Sequence, residues 1–497
     1  MITSYFERVG SLRLDEHAIE KTIDEFTNDL LNGVLFGDSG DCPSTLDYHW
    51  PSISGFAVAL PIREMEAIMI RKLLCCGVCL GILLLLISTV APLAADKGIL
   101  RAGAAKVDIT PAADAALQMS GYANRTAGFK GIHDDLNVRA IVVDDGSAQA
   151  AIISYEIIGL SNAFWEKMTE RITRETGIAR DHIVLASVHT HAAPSTGVYD
   201  RGQLAPNQAA YIARLEEAIL ESVRRAKSAL QPARIGFRTG KAKVNMNRRA
   251  SNGEGGWMLG NNPDGVSDKT VAVIRFENLT GEPFAIFSNY GVHGTVMGPG
   301  NLQISSDLPG ATSRFVERHY GGKVISAWTS GTAGDQDPIY RTGTDFQNVT
   351  ALGSILGEEV VRIADAIKTT NRAHIHASQR VVTCPGKRTV QAPGPGREYK
   401  FEDSDPVAIR LSLLVINDIA IAGVAGEVLT NVGLRLKKES PFNHTLMVTH
   451  CNGSSGYLPD DAAYDQVSYE IVTTRVKRGC AEDAIVNGLL AMMGELF

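Results

Sequence analysis

VLASVHTHAAPST, residues 184–196, reads first as a strand and then as a site. Val184, Leu185, Ala186, Ser187 and Val188 suit a buried strand, and His189, Thr190 and His191 follow before a turn marked by Pro194. Alternate side chains of a strand share a face, so His189 and His191 are expected to point the same way. Open α/β sheets bind ligands at strand ends. Taken alone, the pair fits two hydrogen-bonded histidines in a polar turn equally well. Upstream, AQAAIISYEIIGL (148–160) reads as another buried strand. NAFWEKMTERITRETG (162–177) places Phe164, Trp165, Met168 and Ile172 at helical spacing, with Gly177 as a stop. Downstream, PNQAAYIARLEEAILESVRRAKSAL (206–230) is a long amphipathic helix, with Tyr211, Leu215, Ala218, Ile219 and Ser222 on one face. Strand, helix, strand, helix predicts an α/β fold of mixed sheets flanked by helices. Further strands are expected over 233–239, 270–277, 283–290, 323–328, 374–383 and 409–425. Further helices are expected over 307–319, 350–368, 427–438 and 482–495. CPGKRTVQAPGPGREYK (384–400) reads as a surface excursion.

The chain has 497 residues and a net charge of −7, with no basic stripe, which argues against a nucleic-acid partner. Arg248-Arg249 and Lys437-Lys438 read as solvated surface. Near the N-terminus, Arg71 and Lys72 precede an apolar run over 73–90, and Ala91, Ala94 and Ala95 follow. That is the layout of a secretory signal peptide cleaved near Ala95, the rival being an uncleaved anchor. Three segments follow: a doubtful extension (1–64), a signal peptide or anchor (65–95) and one catalytic domain (96–497). The expected location is periplasmic or extracellular, or membrane-anchored. The exported part keeps Cys384, Cys451 and Cys480, which allow one disulfide and no cysteine-held zinc.

Three more strand-to-loop junctions resemble the first. PFAIFSNYGVHGTVMG reaches His293 among Gly291, Gly294 and Gly298, glycines that let backbone approach closely. NDIAIAGVAGEVLTNVGLRL breaks at Gly423 and Gly426, and a helix is expected to start at Glu427. HTLMVTHCNGSSGYLPDDAAYDQVSYE leads through a Gly/Ser turn to Tyr457, Tyr464 and Tyr469. Nitrogen and oxygen donors of this kind suit zinc. The equally spaced His374 and His376 sit in the polar NRAHIHASQR and read as an exposed edge strand.

Seven segments in order resemble the neutral/alkaline non-lysosomal ceramidases: AGAAKVDITP, MSGYANRTAGFKGIHDDLNVRAIVV, VHTHAAP, NMNRR, NYGVHGTVM, AGEVLTNVGLRL and SGYLPDDAAYDQVSYE. The resemblance implies a zinc-dependent amide hydrolase that cleaves N-acylsphingosine to sphingosine and fatty acid. Its Zn2+ ligands map to His189, His293, Glu427 and Tyr457. His191 falls near the zinc-bound water, Arg248 on a substrate-contacting arginine, and Tyr469 on a tyrosine that steadies the developing oxyanion. The implied partner is an amphiphilic, ceramide-like amide met at a membrane surface.

Two departures bear on mechanism. Where the family pattern has a serine proposed as essential, SGTAGDQDP has Asp337, which reads as a turn residue. A zinc-bound hydroxide is then the nucleophile this chain supports. The second is that the family's C-terminal immunoglobulin-like domain is not expected here. Rivals fare less well: HxHxDH fails because Ala192, Ala193 and Pro194 follow His191, and no GxSxG is present. The remaining alternatives are a zinc hydrolase of another amide or ester, and a non-catalytic lipid- or polysaccharide-binding descendant.

Overall fold

The computed structural model describes residues 98–197, 205–341, 343–390 and 399–497. All lie in one unit, Ala91–Phe497. The expected signal segment and extension lie outside the described residues, as do 391–398 of the Gly/Pro-rich stretch. In chain order the elements are β1 (Arg101–Asp108), β2 (Gly131–Ile132), β3 (Asn137–Asp144), β4 (Gln149–Tyr155), α1 (Asn162–Thr176), β5 (Ile183–Ser187), α2 (Pro206–Ser228), β6 (Gln231–Lys241), β7 (Asn245–Ser251), β8 (Trp257–Asn262), β9 (Thr270–Asn278) and β10 (Pro283–Tyr290). They continue as β11 (Gln303–Ile304), α3 (Asp307–His319), β12 (Ile325–Ser330), β13 (Gln336–Pro338), α4 (Phe346–Asp365), β14 (Ile375–Thr389), β15 (Phe401–Ile416), β16 (Ile419–Val424), β17 (Glu427–Val428), α5 (Thr430–Glu439), β18 (His444–Val448), β19 (Tyr457–Leu458), α6 (Tyr469–Thr473) and α7 (Ala481–Gly494).

An eight-stranded mixed sheet, in the order β12-β10-β9-β6-β1-β3-β4-β5, faces a four-stranded sheet, β14-β15-β16-β18. Strand periodicity explains the layering. Ile183 and Leu185 of β5 point to one core with Trp165, Met168 and Ile172 of α1 and Leu215 and Ile219 of α2. Val184 and Ala186 point to the other, against Leu414, Ile421, Leu446 and Val448 of the smaller sheet. A strand covered on both faces must be apolar throughout, which is why VLASV carries no alternation. Helices α3 and α4 cover the other half of the large sheet's outer face, and α5 and α7 cover the outer face of the small sheet. The result is a helix–sheet–sheet–helix sandwich.

Three expectations are revised. The run 409–425 is two strands, because Asn417 takes a left-handed φ of 58° and turns β15 back as β16. Residues 384–389 are not excursion but a continuation of β14, which pairs with β15 through Thr389↔Phe401. A disulfide, Cys384–Cys480, ties that hairpin to the start of α7, and Cys451 is a buried free thiol. Finally, the helix after Glu427 begins three residues later, at Thr430. Glu427 itself forms the two-residue β17, paired in parallel with β19 so that Glu427 stands opposite Tyr457. The edge-strand reading agrees with β14, an edge strand that holds His376 and is immediately preceded by His374; both are exposed.

Candidate metal centre

Strand β5 ends at Ser187, two residues before His189. His189 is left-handed, with φ 62°, so strand alternation does not bring the two histidines together. The chain turns at His189 instead, and His191 N–H donates to the Gly294 carbonyl at 3.0 Å. A side chain on Gly294 could not be accommodated, since a Cβ there would lie 2.9 Å from the His189 carbonyl oxygen. The two loops therefore touch through backbone, and His191 Nε2 comes within 3.3 Å of His189 Nε2.

The rings are oriented by carbonyls behind them. His189 Nδ1 meets the Ile158 carbonyl at 2.7 Å, and His293 Nδ1 meets that of Ala333 at 2.6 Å. A carbonyl only accepts, so each Nδ1 donates to it and each Nε2 is turned forward. Both Nε2 atoms lie 3.4 Å from Glu427 Oε2. His293 Nε2 is buried with no hydrogen-bond partner among the described residues, an orphaned atom that a metal ion would satisfy. His189, His191 and His293 form one group able to hold an ion, and His189, Glu427 and His450 form another.

Charge reinforces the geometry. Burial, with His189 and His293 nearby, pushes His191 well below the usual imidazole range. Burial and Arg248 lower His293 as well. Burial alone would raise the Glu427 carboxyl, but His189 and His293 overcome it and hold the group well below the carboxylate range. Burial and the Glu427 charge raise the Tyr457 phenol, which accepts from Arg248 Nη2 at 2.9 Å.

Arg248 and Arg249 are not solvated surface; each is 4 % exposed. Arg248 donates from Nε to Glu470 at 2.7 Å and from Nη1 to Asp337 at 3.3 Å. Asp337 is not a turn residue either. It lies buried in β13, paired with β7, and also accepts from Thr295 and Arg341. Burial opposes its charge, yet Arg248, His293 and Arg341 hold its carboxyl below the usual range. Tyr469 opens the short α6 at the rim, 46 % exposed and edge-on to Tyr457 at 5.7 Å between ring centroids.

Sequence reasoning did not single out several residues here. His450 stacks on His189, and Glu470 is buried beneath Arg248. Asp307 is buried at φ 54°, and three backbone N–H groups, from Val296, Met297 and Leu308, hold it. Burial pushes its carboxyl up to about 6. One signal could have found His450: it follows β18 by two residues, as His189 follows β5.

Tyr122 meets the His191 ring edge-on at 5.1 Å, and its hydroxyl donates to the Met297 carbonyl at 2.9 Å. Gly121, at φ 99°, presses its α-carbon against the same imidazole; a Cβ there would sit 2.5 Å from His191 Cγ. Gly121→Ala must therefore displace His191 while leaving His189, His293 and Glu427 alone. A displacement of about 1 Å can cost up to roughly 100-fold in rate. If the site cleaves an amide, as the sequence resemblance implies, kcat/KM should fall towards that limit with metal content unchanged. An unchanged kcat/KM in a folded variant would remove His191 from the chemistry.

The family model "Neutral/alkaline non-lysosomal ceramidase, N-terminal" matches residues 100–348. Neutral ceramidase A of Dictyostelium discoideum is 28% identical over 297 residues, 52% of this chain and 40% of that protein. The neutral ceramidase of Pseudomonas aeruginosa is 28% identical over 264 residues, 50% of this chain and 38% of that one. The chain thus spans about two fifths of the length of the curated relatives it matches. The crystal structure of the Pseudomonas aeruginosa enzyme superposes with a TM-score of 0.68 at 19% identity, over 80% of this chain and 75% of that one, and so shares the fold. By the match over half its length, on the fold just described, the chain belongs to the neutral/alkaline non-lysosomal ceramidase family.

Proposed function

We propose that residues 96–497 form a zinc-dependent amide hydrolase acting on ceramide-like N-acyl amines, with His189, His293, Glu427 and Tyr457 as the ligands. The observation that carries this reading is the convergence of two carbonyl-oriented Nε2 atoms on one buried carboxylate, with a tyrosine in register beside it. The relatives' names supply the substrate class. Zinc bound there supplies a Lewis acid and brings a water's pKa to about 7.

The chain's own groups divide the remaining work. His191, neutral through burial, faces the cluster and would take the proton that the attacking water gives up and pass it to the leaving amine. The rim phenol of Tyr469 donates to the amide oxygen as charge develops, a role typically worth about 3–4 kcal/mol. Arg248 acts through Tyr457, steadying the phenol oxygen while Glu470 and Asp337 fix its guanidinium. No serine stands at the Asp337 position, and its carboxylate is locked between two guanidinium groups.

The Cys384–Cys480 disulfide and the signal-like segment support export to the periplasm or beyond, where an amphiphilic substrate is met at a membrane surface. No helix among the described residues is long and apolar enough to cross a membrane. The decisive experiment offers zinc-loaded protein a short-chain fluorescent N-acylsphingosine and a plain N-acyl amine. Fatty acid should appear from at least one, stop on chelation and resume when zinc is returned. Chelator-resistant turnover overturns the metal mechanism. Failure to cleave any amide or ester supports the lipid- or polysaccharide-binding alternative.

A further inference from the structure

The ligand set above leaves one imidazole unexplained. His450 is 5 % exposed, and its Nε2 is buried without a hydrogen-bond partner among the described residues. The residue is held in a left-handed conformation, φ 51°, which disfavours any side chain beyond Cα. Its N–H donates to the Gly426 carbonyl at 3.0 Å, and its carbonyl accepts from Ser187 N–H at 3.2 Å. Backbone therefore straps it between the end of β5 and the residue before Glu427. Its ring lies against that of His189, with centroids 3.7 Å apart and planes inclined by 16°. A ligand atom from each of His189, Glu427 and His450 lies within 4.8 Å of the others.

We propose that His450 is a further metal donor of this chain, enlarging the group around Glu427 beyond the four residues assigned above. The inference rests on that reading of the site. A buried imidazole nitrogen with no partner is costly to keep, and it persists where something absent from the protein itself completes it. Stacking on His189 accounts for the ring's place but not for the unsatisfied nitrogen.

Phenylalanine separates the two roles, because His450→Phe retains an aromatic stack and removes the donor. The full chain, stripped of metal and titrated with cobalt(II) and then zinc, gives affinity, stoichiometry and the visible spectrum without reference to turnover. We expect His450→Phe to bind at least about tenfold more weakly than the parent and to show an altered cobalt spectrum, as losing a group in contact with a metal site does. His450→Asn, smaller and polar, should behave likewise if the phenylalanine variant folds poorly. A parent that binds two ions and a variant that binds one would equally support a His450 donor. A folded His450→Phe protein with the parent's affinity, stoichiometry and spectrum overturns it and leaves only stacking. His293→Ala in parallel tests the underlying site: unchanged zinc affinity there sinks the four-ligand reading instead, whatever His450 does.

Discussion

Glu427→Ala protein should emerge from purification without zinc and without amidase activity. The carboxylate is 4 % exposed and is the acceptor on which His189 and His293 converge. Losing an outer partner of a metal site costs about 10–100-fold in affinity, so losing a proposed ligand should exceed the upper end of that range. Turnover should fall to background even with zinc in excess. Asp337→Ala is the matched comparison. Asp337 touches Arg248, Thr295 and Arg341 but none of the four assigned ligands, so this variant should keep its zinc and a measurable fraction of activity per folded molecule. An Asp337→Ala protein as inactive as Glu427→Ala would place the aspartate in the chemistry.

Glu470→Ala is expected to be the most destabilising of the single changes considered. Glu470 is fully buried, takes Arg248 Nε at 2.7 Å and Ser468 Oγ at 2.6 Å, and has Arg249 Nε at 3.8 Å. Removing it leaves the buried Arg248 with Asp337 as its remaining carboxylate and Arg249 with neutral acceptors only. Breaking a buried pair on one side typically costs about 3–5 kcal/mol, because the surviving charge stays desolvated. The thermal midpoint should drop clearly for Glu470→Ala and less for Glu470→Gln, which keeps an acceptor. Removing the charge on both sides, with Arg248→Met and Glu470→Met together, should recover part of the loss. If the double variant is no more stable than Glu470→Ala, stranded charge is not the cause.

Local pattern made the fold legible. The run 307–319 matches α3 residue for residue, and the buried face read from Tyr211 to Ser222 is the face α2 buries. Strand-to-loop junctions also pointed to His189, His293, Glu427 and Tyr457, because sheet ends gather loops wherever the strands come from. What stayed hidden depends on contacts remote in sequence. Glu470 and Arg248 are 222 residues apart, and neither periodicity nor turn chemistry links them. Asp337 reads as a turn residue from its Gly and Pro neighbours, whereas tertiary pairing with β7 makes it a strand residue. His189 and His191 were expected to share a strand face; their Nε2 atoms do approach to 3.3 Å, but beyond the strand and through a left-handed residue that no alternation rule anticipates.

The ladder between β17 and β19 is only two residues long, Glu427↔Tyr457 and Val428↔Leu458. So short a pairing has little power to fix its own alignment, and a slip by one would set Glu427 against a leucine or Tyr457 against a valine. An ion that needs carboxylate and phenol side by side rejects both slipped arrangements. If the proposed ion binds the native arrangement alone, its binding free energy adds to folding and the centre would act as a proofreader of alignment. The proposed chemistry and the correctness of assembly would then be checked by the same atoms.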